Sequence, residues 1–358
     1  MAKGKMVVGL DIGSSAVKMV QLKEQRRRGQ VGFALESFGM KPLPPEAIVD
    51  SALMNSTAIV QAMQELIAEL KIKPREVAIG LSGHSVIIKK LSMPRMTQDE
   101  LDESIQWEAE AYIPFDVKDV NIDSQILSPN ADDQTGQMDV LLVAAKKDTI
   151  NDYTTVVSEA GLSPVVVDVD AFAVQNTFAA NYDVPENETV VLINAGAAVV
   201  NINIVSHGIT VFTRDVNMGG NSFTEEIQKQ LNVSYEEAEA LKVGGHGESD
   251  AVVPQEVERV MGSVAEQVAG EIQRSLDFYA GNAADANFTK VFLSGGTAKI
   301  PALYRAIEQR TGLKVEILNP FKNIEIDNRK FDPAFLMEVA PLAAVAVGLA
   351  MRHPGDKA

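Results

Sequence analysis

The sequence predicts a duplicated α/β fold, with two lobes of similar build around a central cleft. Three observations carry the prediction. One glycine-turn pattern occurs twice, 183 positions apart: Val8-Gly9-Leu10-Asp11-Ile12-Gly13-Ser14-Ser15-Ala16-Val17-Lys18 and Val191-Leu192-Ile193-Asn194-Ala195-Gly196-Ala197-Ala198-Val199-Val200-Asn201. A third apolar strand, Val291-Phe292-Leu293, ends in Ser294-Gly295-Gly296-Thr297. The 358 residues are enough for two domains or four small subdomains. Each copy of the repeated pattern has an apolar strand, an Asp or Asn, a Gly two places on, small residues, and a second β-rich run. A glycine turn lets backbone N–H groups come close to a phosphate. Two such hairpins facing each other hold one polyphosphate from both sides, which puts a nucleotide in the cleft.

Val7 to Leu10, Val17 to Leu22 and Val31 to Phe38 are apolar and β-branched and read as strands, with Arg26-Arg27-Arg28-Gly29 as a solvated hairpin turn. A Pro-rich link (Pro42, Pro44, Pro45) precedes a helix over about 58–71, whose Ile59, Met63, Leu66, Ile67 and Leu70 share one face. Val77 to Leu81 and Val86 to Leu91 are strands. Pro94 then breaks the pattern, and Thr97-Gln98-Asp99-Glu100 is a capping box for a helix running to about Ala111. Ser128 to Gln137 is turn-rich and reads as a loop, Asp139 to Ala145 as a strand, and Thr149 to Ala160 as a helix. With helices and strands of its own, the stretch 91–165 reads as an inserted unit.

Val165 to Asp168 returns to a strand, followed by a helix over Ala171–Ala180 and the second hairpin. Gly219-Gly220 marks a sharp turn into a helix, and Ser222 to Glu225 and Ser234 to Glu237 read as further capping boxes. Gly244 to Asp250 is a loop. Val257, Val260, Met261, Val264, Val268, Ile272 and Leu276 place one amphipathic helix between about Gln255 and Tyr279. Pro301 suits a first helical turn, Leu342 to Arg352 is a small-residue helix, and His353 to Ala358 reads as a frayed end.

Composition excludes several classes of function. With no cysteine, there are no disulfides, thiol metal sites or Cys nucleophile, and His84, His207, His246 and His353 lack metal-ligand spacing. A net charge of −17 argues against a nucleic-acid partner. The longest apolar run, Val339 to Met351, has 13 residues and contains Pro341, short of the ~20 that span a bilayer. The apolar run near the start is stopped at once by Asp11, unlike a signal peptide, so the chain is expected to stay in the cytoplasm. Charge is uneven. Residues 1–90 hold 13 basic and 8 acidic side chains, whereas 91–165 hold 15 acidic and 4 basic. The acidic block reads as a solvated surface or as a docking face for a basic peptide.

Asp11 ends a buried strand where it meets the glycine turn. A carboxylate there holds Mg²⁺ or its waters, while Gly13, Ser14 and Ser15 offer donors to phosphate oxygens. Lys18, on the returning strand, faces either phosphate or solvent. The turn at Gly295, Gly296 and Thr297 passes close to an adenosine, with Lys299 over the base or on a phosphate. A carboxylate at the end of the 165–168 strand would position a water for attack on the γ-phosphate; Asp168 and Asp170 compete for that role, and each also suits a helix N-cap. Gly219 and Gly220 approach the nucleotide or simply cap a strand.

The order of these motifs is phosphate, connecting segment, phosphate, Gly-Gly, adenosine, closing helix. It resembles that of the actin, Hsp70 and sugar-kinase superfamily, with its RNase H-like lobes, along nearly the whole chain. Within it, Gly9 to Lys18, Ile105-Gln106-Trp107-Glu108-Ala109-Glu110-Ala111-Tyr112-Ile113-Pro114-Phe115, Leu293 to Pro301, and Val347 to Arg352 resemble the PilM family of type IV pilus assembly. The resemblance implies an FtsA-like layout with ATP and Mg²⁺ as ligands. Subdomain 1A would comprise 1–90, 166–182 and 336–352, and 1C would be 91–165. Subdomain 2A would comprise 183–218 and 288–335, and 2B would be 219–287. It also implies a groove between 1A and 1C for the cytoplasmic N-terminal tail of the inner-membrane protein PilN, with Trp107, Tyr112 and Phe115 nominated in it. The pilus assembly ATPase and platform protein are implied as further partners, with attachment to the inner membrane through a partner only.

The superfamily places an acid where this chain has Asn194, and a hydroxyl is common where it has Val199. This combination implies nucleotide binding with weak or absent hydrolysis. Two other readings compete. A sugar- or acetate-kinase-like phosphotransferase would need a base beside a substrate hydroxyl, and none stands out. An FtsA-like division filament protein would use a C-terminal amphipathic helix, which Arg352 to Ala358 does not form.

Overall fold

Two five-stranded sheets with the same strand order frame the protein. The computed structural model describes residues 6–27, 30–132, 136–183, 188–244, 255–283 and 286–356. The first lobe begins with β1 (Val8–Ile12), β2 (Ala16–Arg27) and β3 (Gln30–Pro42), then the short pair β4 (Ile48–Val49) and β5 (Ala52–Leu53), then α1 (Ser56–Glu69) and β6 (Glu76–Leu81). The inserted unit holds β7 (Val86–Pro94), α2 (Gln98–Ala109), β8 (Val120–Asp132) and β9 (Gln137–Lys146). The chain returns through α3 (Lys147–Glu159), β10 (Ser163–Val169) and α4 (Asp170–Asn181). The second lobe has β11 (Thr189–Ala195), β12 (Val200–Ser206), β13 (Ile209–Val216), α5 (Gly220–Leu231), α6 (Tyr235–Lys242), α7 (Gln255–Asn282), β14 (Phe288–Ser294), α8 (Pro301–Thr311) and β15 (Val315–Ile317). Helices α9 (Pro333–Val339) and α10 (Ala344–Ala350) close the chain.

The sheets run β10-β6-β1-β2-β3 and β15-β14-β11-β12-β13. In each, three antiparallel strands lead, and two later strands add in parallel on the far side of the first. The expected duplication is therefore a duplication of topology. It extends to register, since Asp11 pairs with Lys18 as Asn194 pairs with Asn201. The turns match too: Gly13 N donates to Ala16 O at 3.1 Å and Gly196 N to Val199 O at 2.9 Å.

Both faces of each sheet are covered, so the strands read as near-continuous apolar runs. Alternation still sorts their side chains. Val191 and Ile193 of β11 join the core under α5, α7 and α8, whereas Val190 and Leu192 face α4 and α10. Val8, Leu10 and Ile12 of β1 pack with α1 and α3, while Val7 points to α4 and α10. The pair α4 and α10 is thus sandwiched between the two sheets, and the cleft opens at the end of this sandwich. Phe178, Tyr182 and Phe292 lock the lobes together with ring centroids 4.7–5.4 Å apart.

Several boundaries differ from the sequence reading. The strand expected to end at Leu91 runs on to Pro94 and belongs to the inserted three-stranded sheet β7-β9-β8, so the insertion starts at Val86. It ends at Lys146, because Tyr153, Val156 and Val157 of α3 pack into the first lobe's core. Phe321, Ile324, Ile326 and Phe331, expected in the second lobe, pack on Leu22, Leu35 and Phe38 of the first. The helices of 219–287 share one core with the second sheet. Ser222 is not an N-cap. Helix α5 starts at Gly220, and the Ser222 hydroxyl accepts from Gly219 N. The boxes at Thr97 and Ser234 form as expected.

Strands β8 and β9 shorten the expected 128–137 loop from both sides, and residues 133–135 lie outside the described residues. So do Arg28 and Gly29 of the charged turn and 245–250 of the Gly244 loop. The end is not frayed at His353, whose N–H donates to Asp356 at 2.7 Å. The 13-residue apolar run near the end continues, across Glu338, into a longer stretch that is apolar on average. Pro333–Ala350 reaches a mean hydropathy of 1.8 over 18 residues, enough by length and composition to cross a membrane. It is broken into α9, a 3-10 turn at Ala340–Ala343 and α10, and 67% of it is buried inside the protein.

Candidate functional site

A cleft of about 1260 Å³ lies between the lobes. Asp11, Gly13, Ser14, Ser15 and Lys18 line it from the first hairpin, and Asn194 and Gly196 from the second. Gly220, Gly295, Gly296, Thr297 and Lys299 complete the set that the sequence nominated and the fold brings together. Gly219 stands just behind the wall. A Cβ on it would sit 2.5 Å from Ala197 O, and this closeness seats the start of α5 on the second hairpin. Gly220 N donates to Gly196 O at 3.0 Å and Asn221 N to Ala197 O at 2.8 Å.

Gly295 has φ +88, and a Cβ there would lie 2.2 Å from Ala195 O, so only glycine lets the turn cross this close to β11. Thr297 Oγ1 then donates to Gly196 O at 2.7 Å, tying the glycine turn to the second hairpin. Lys299 lies at the rim and pairs with Glu338 at 3.2 Å.

Lys18 faces the site and not bulk solvent. It is buried, and its Nζ donates to Asp11 Oδ2 at 2.9 Å. At the matching positions Asn194 Nδ2 donates to Asn201 Oδ1 at 3.1 Å. One hairpin is therefore charged and the other neutral.

The structure separates the two competing aspartates. Asp168 is buried against Arg352 (3.3 Å), takes Val169 N at 2.8 Å, and does not line the cleft. Burial pushes its pKa up, against the pull of Arg352. Asp170 does line the cleft. The strand ends at Val169 and α4 begins at Asp170, so strand parity no longer links the two side chains. Asp170 keeps some solvent contact, but dense surroundings push its pKa up to about 7, with the charges of Asp11 and Asp215 adding and Ser82 and Lys18 opposing. Tyr153 lines the cleft nearby, and burial raises its pKa, with Asp170 and Asp11 adding.

Sequence reasoning missed the far end of the cleft. Tyr235, Glu239 and Lys242 of α6 line it, with Arg305 of α8 opposite. Lys242 Nζ reaches Glu239 at 2.6 Å, Thr224 at 2.9 Å and Gly220 O at 3.2 Å. The capping box at Ser234 was the available signal, because it fixes the phase of α6 and so puts Glu239 and Lys242 on neighbouring turns.

The sequence profile of the type IV pilus assembly protein PilM family matches residues 9–354. The chain belongs to the PilM family. Its fold is similar to that solved in the PilM–PilN type IV pilus biogenesis complex, with a TM-score of 0.86 and 27% identity, covering 98% of this chain and 99% of the other. It is 22% identical to the cell division protein FtsA of Enterococcus hirae over 97% of this chain and 87% of that protein. The ethanolamine utilization protein EutJ of Carboxydothermus hydrogenoformans shares the fold at a TM-score of 0.58 and 15% identity, covering 97% of this chain and 89% of EutJ. The two-lobed architecture is thus that of the PilM family.

Of the three aromatic residues nominated in the insertion, the structure leaves two on its surface. Trp107 is 78% exposed on α2, and Tyr112 is 37% exposed just beyond it. Phe115 instead packs against the insertion's core, with Lys146 Nζ 4.3 Å from its ring centroid. Asp99, Asp102, Glu103, Gln106, Trp107 and Glu110 are all exposed and fall on one helical face. The acidic excess of the insertion therefore flanks the one exposed tryptophan.

Proposed function

We propose that this protein is a nucleotide-binding scaffold of the type IV pilus machine that holds the cytoplasmic N-terminal tail of PilN beside its inserted unit. One observation carries the reading: the end-to-end likeness to the PilM–PilN complex. The acidic, tryptophan-bearing face of α2 suits a tail with a basic end. Attachment to the inner membrane would then come through PilN. The assembly ATPase and the platform protein are proposed as further partners.

ATP with Mg²⁺ is the proposed ligand, and the residues present fit it. A Cβ at Gly13 would lie 3.0 Å from Lys18 Nζ, so the turn is shaped to bring a small ligand group and the ammonium together. Ser14 and Ser15 stand at the tip of one hairpin, and Ala197 and Ala198 at the tip of the other. Lys18 brings the positive charge that a polyphosphate requires. Asp11 gives one oxygen to Lys18, and its other oxygen would be available to hold Mg²⁺ or one of its waters. Among the described residues no group of three or more Asp, Glu, His or Cys could hold a metal alone. Mg²⁺ would therefore be held by ligand phosphates, waters and one carboxylate, which is its usual habit. Asp170, better placed than Asp168, would orient water in the cleft. Bound ATP supplies a charged chain that both hairpins grip, which favours the closed cleft. Asn194 adds no charge to help activate a metal-bound water, so binding rather than turnover is the expected output.

Calorimetric titration of the cognate PilN tail peptide, with and without ATP and Mg²⁺, tests this. Binding that strengthens with nucleotide supports the gated scaffold. Equal affinities would remove the gating, and absence of peptide binding would remove the scaffold reading itself.

A further inference from the structure

Four residues, Ser82-Gly83-His84-Ser85, carry the chain from the end of β6 into β7, from the first lobe into the inserted unit. Groups from the cleft and the second lobe hold this crossing. Ser82 lines the cleft with Asp170, and its carbonyl accepts from Ser51 Oγ at 3.1 Å. Gly83 N donates to Asp215 Oδ2 at 2.5 Å. His84 Nε2 lies 2.6 Å from Asn217 Nδ2. Ser85 O accepts from Lys146 N at 3.0 Å, so the entry to the insertion is tied to its exit. The Ser85 hydroxyl is buried without a hydrogen-bond partner. Strand β13, which carries Asp215, also runs against β7.

Asp215 is the branch point. Its other oxygen accepts from Asn201 Nδ2 at 2.8 Å. Asn201 Oδ1 in turn accepts from Asn194 Nδ2 at 3.1 Å. An unbroken line of hydrogen bonds, Asn194–Asn201–Asp215–Gly83, therefore leads from the second hairpin across to the crossing. In the first hairpin the same cross-strand pair, Asp11 and Lys18, faces the cleft.

We propose that this line is the relay by which nucleotide occupancy sets the tilt of the inserted unit. The proposal deepens the reading of the cleft as a nucleotide site and rests on it. An amide is a donor and an acceptor on one rigid fork. If Asn194 turns its NH₂ toward a phosphate, Asn201 loses its donor and must turn as well. Asp215 then loses one of its two donors and shifts toward or away from Gly83 N. An enclosed polar group left unpaired is costly, so such a line favours two discrete arrangements over a continuum. The crossing is only four residues long and is tied at both ends, so a shift at Gly83 moves the base of β7.

The lack of cysteine lets two engineered thiols be labelled uniquely. Thr57→Cys on α1 and Glu103→Cys on α2 are both exposed and report the insertion against the first lobe. The test is the spin-label distance between them, without nucleotide and at saturating ATP and Mg²⁺, together with ATP binding by calorimetry. We expect the distance to change with ATP in the otherwise unaltered chain. In Asp215→Ala the change is lost while ATP affinity stays within about threefold. Asn201→Ala, read at saturating ATP, also loses the change and serves if Asp215→Ala does not fold. Asp215→Asn, which keeps one acceptor oxygen, gives an intermediate change. A full ATP-dependent change in both alanine variants overturns the relay, as does ATP binding with no change in the starting chain. Failure of the starting chain to bind ATP overturns the nucleotide reading itself, and the relay with it.

Discussion

Lys18 Nζ meets Asp11 Oδ2 at 2.9 Å across the first hairpin, with both side chains about nine-tenths enclosed. Asn194 and Asn201 take the same two positions in the second hairpin without charge. The repeat thus preserves geometry while dividing the electrostatic labour between its copies. Removing one partner of an enclosed ion pair strands the other, at a cost of about 3 kcal/mol. Lys18→Ala should lose about that much stability in urea, and Asp11→Ala combined with Lys18→Ala should lose clearly less than the sum of the single variants. An additive double variant would show that the contact contributes nothing.

Asn194→Asp tests the missing charge. It puts a carboxylate in the second hairpin opposite Asp11. Without metal, ATP binding should weaken by about tenfold from repulsion, and added Mg²⁺ should restore it. Calorimetry with and without Mg²⁺ reads both effects, and steady-state phosphate release reports any gain in turnover.

Gly295→Ala should disable the glycine turn. The new methyl would collide with Ala195 O in a left-handed backbone conformation. A loss of about 2–4 kcal/mol in stability is expected, with ATP binding abolished even where the fold survives. Thermal unfolding and calorimetry on the same sample separate the two effects.

Asp170 gives the protein a pH dependence of definite sign. Its folded pKa of about 7 lies above the ordinary 3.8, so the folded state holds a proton that the unfolded chain has lost. Stability therefore falls as pH rises from about 4 to 7 and is level above that. Asp170→Asn removes the term. It should match the parent near pH 4 and exceed it at pH 8 by about 1–2 kcal/mol, allowing for solvent in the cleft. Scanning calorimetry at the two pH values checks this, and a variant less stable at pH 8 would contradict the assignment.

Trp107 is the sole tryptophan and is 78% exposed, so intrinsic emission reports on one face of the insertion. Free protein should emit like a solvated indole. A partner tail laid on α2 should shift the emission to the blue, and Trp107→Ala should weaken tail binding by about 1–2 kcal/mol. Tail binding with unchanged emission would place the groove away from this face.

Much of the fold was legible because its signals are local. Both hairpins announce themselves through an apolar strand, a small polar residue and a glycine within a few positions. The turn at Gly295, the capping boxes at Thr97 and Ser234, and the α7 stripe from Val257 to Leu276 are local as well. Where the reading slipped, a distant partner decided. Ser222 has the composition of an N-cap, but the hold of Gly196 and Ala197 on Gly220 and Asn221 starts the helix earlier. Residues 321–331 follow the second sheet in sequence, yet their side chains fit the face of β2 and β3.

By itself the sequence determined the duplicated architecture, the two hairpins, the glycine turn that faces them, and the presence of an acidic insertion. Each of these follows from the conformational preferences and spacing of neighbouring residues. Tertiary structure alone decided that Asp170 and not Asp168 turns to the cleft, that Lys18 is spent on Asp11, and that Gly83 is held by Asp215 from 132 positions away. The direction of a side chain at a strand end, and the partner of a buried charge, are set by what the rest of the chain packs there. No local pattern encodes that until the two lobes have met.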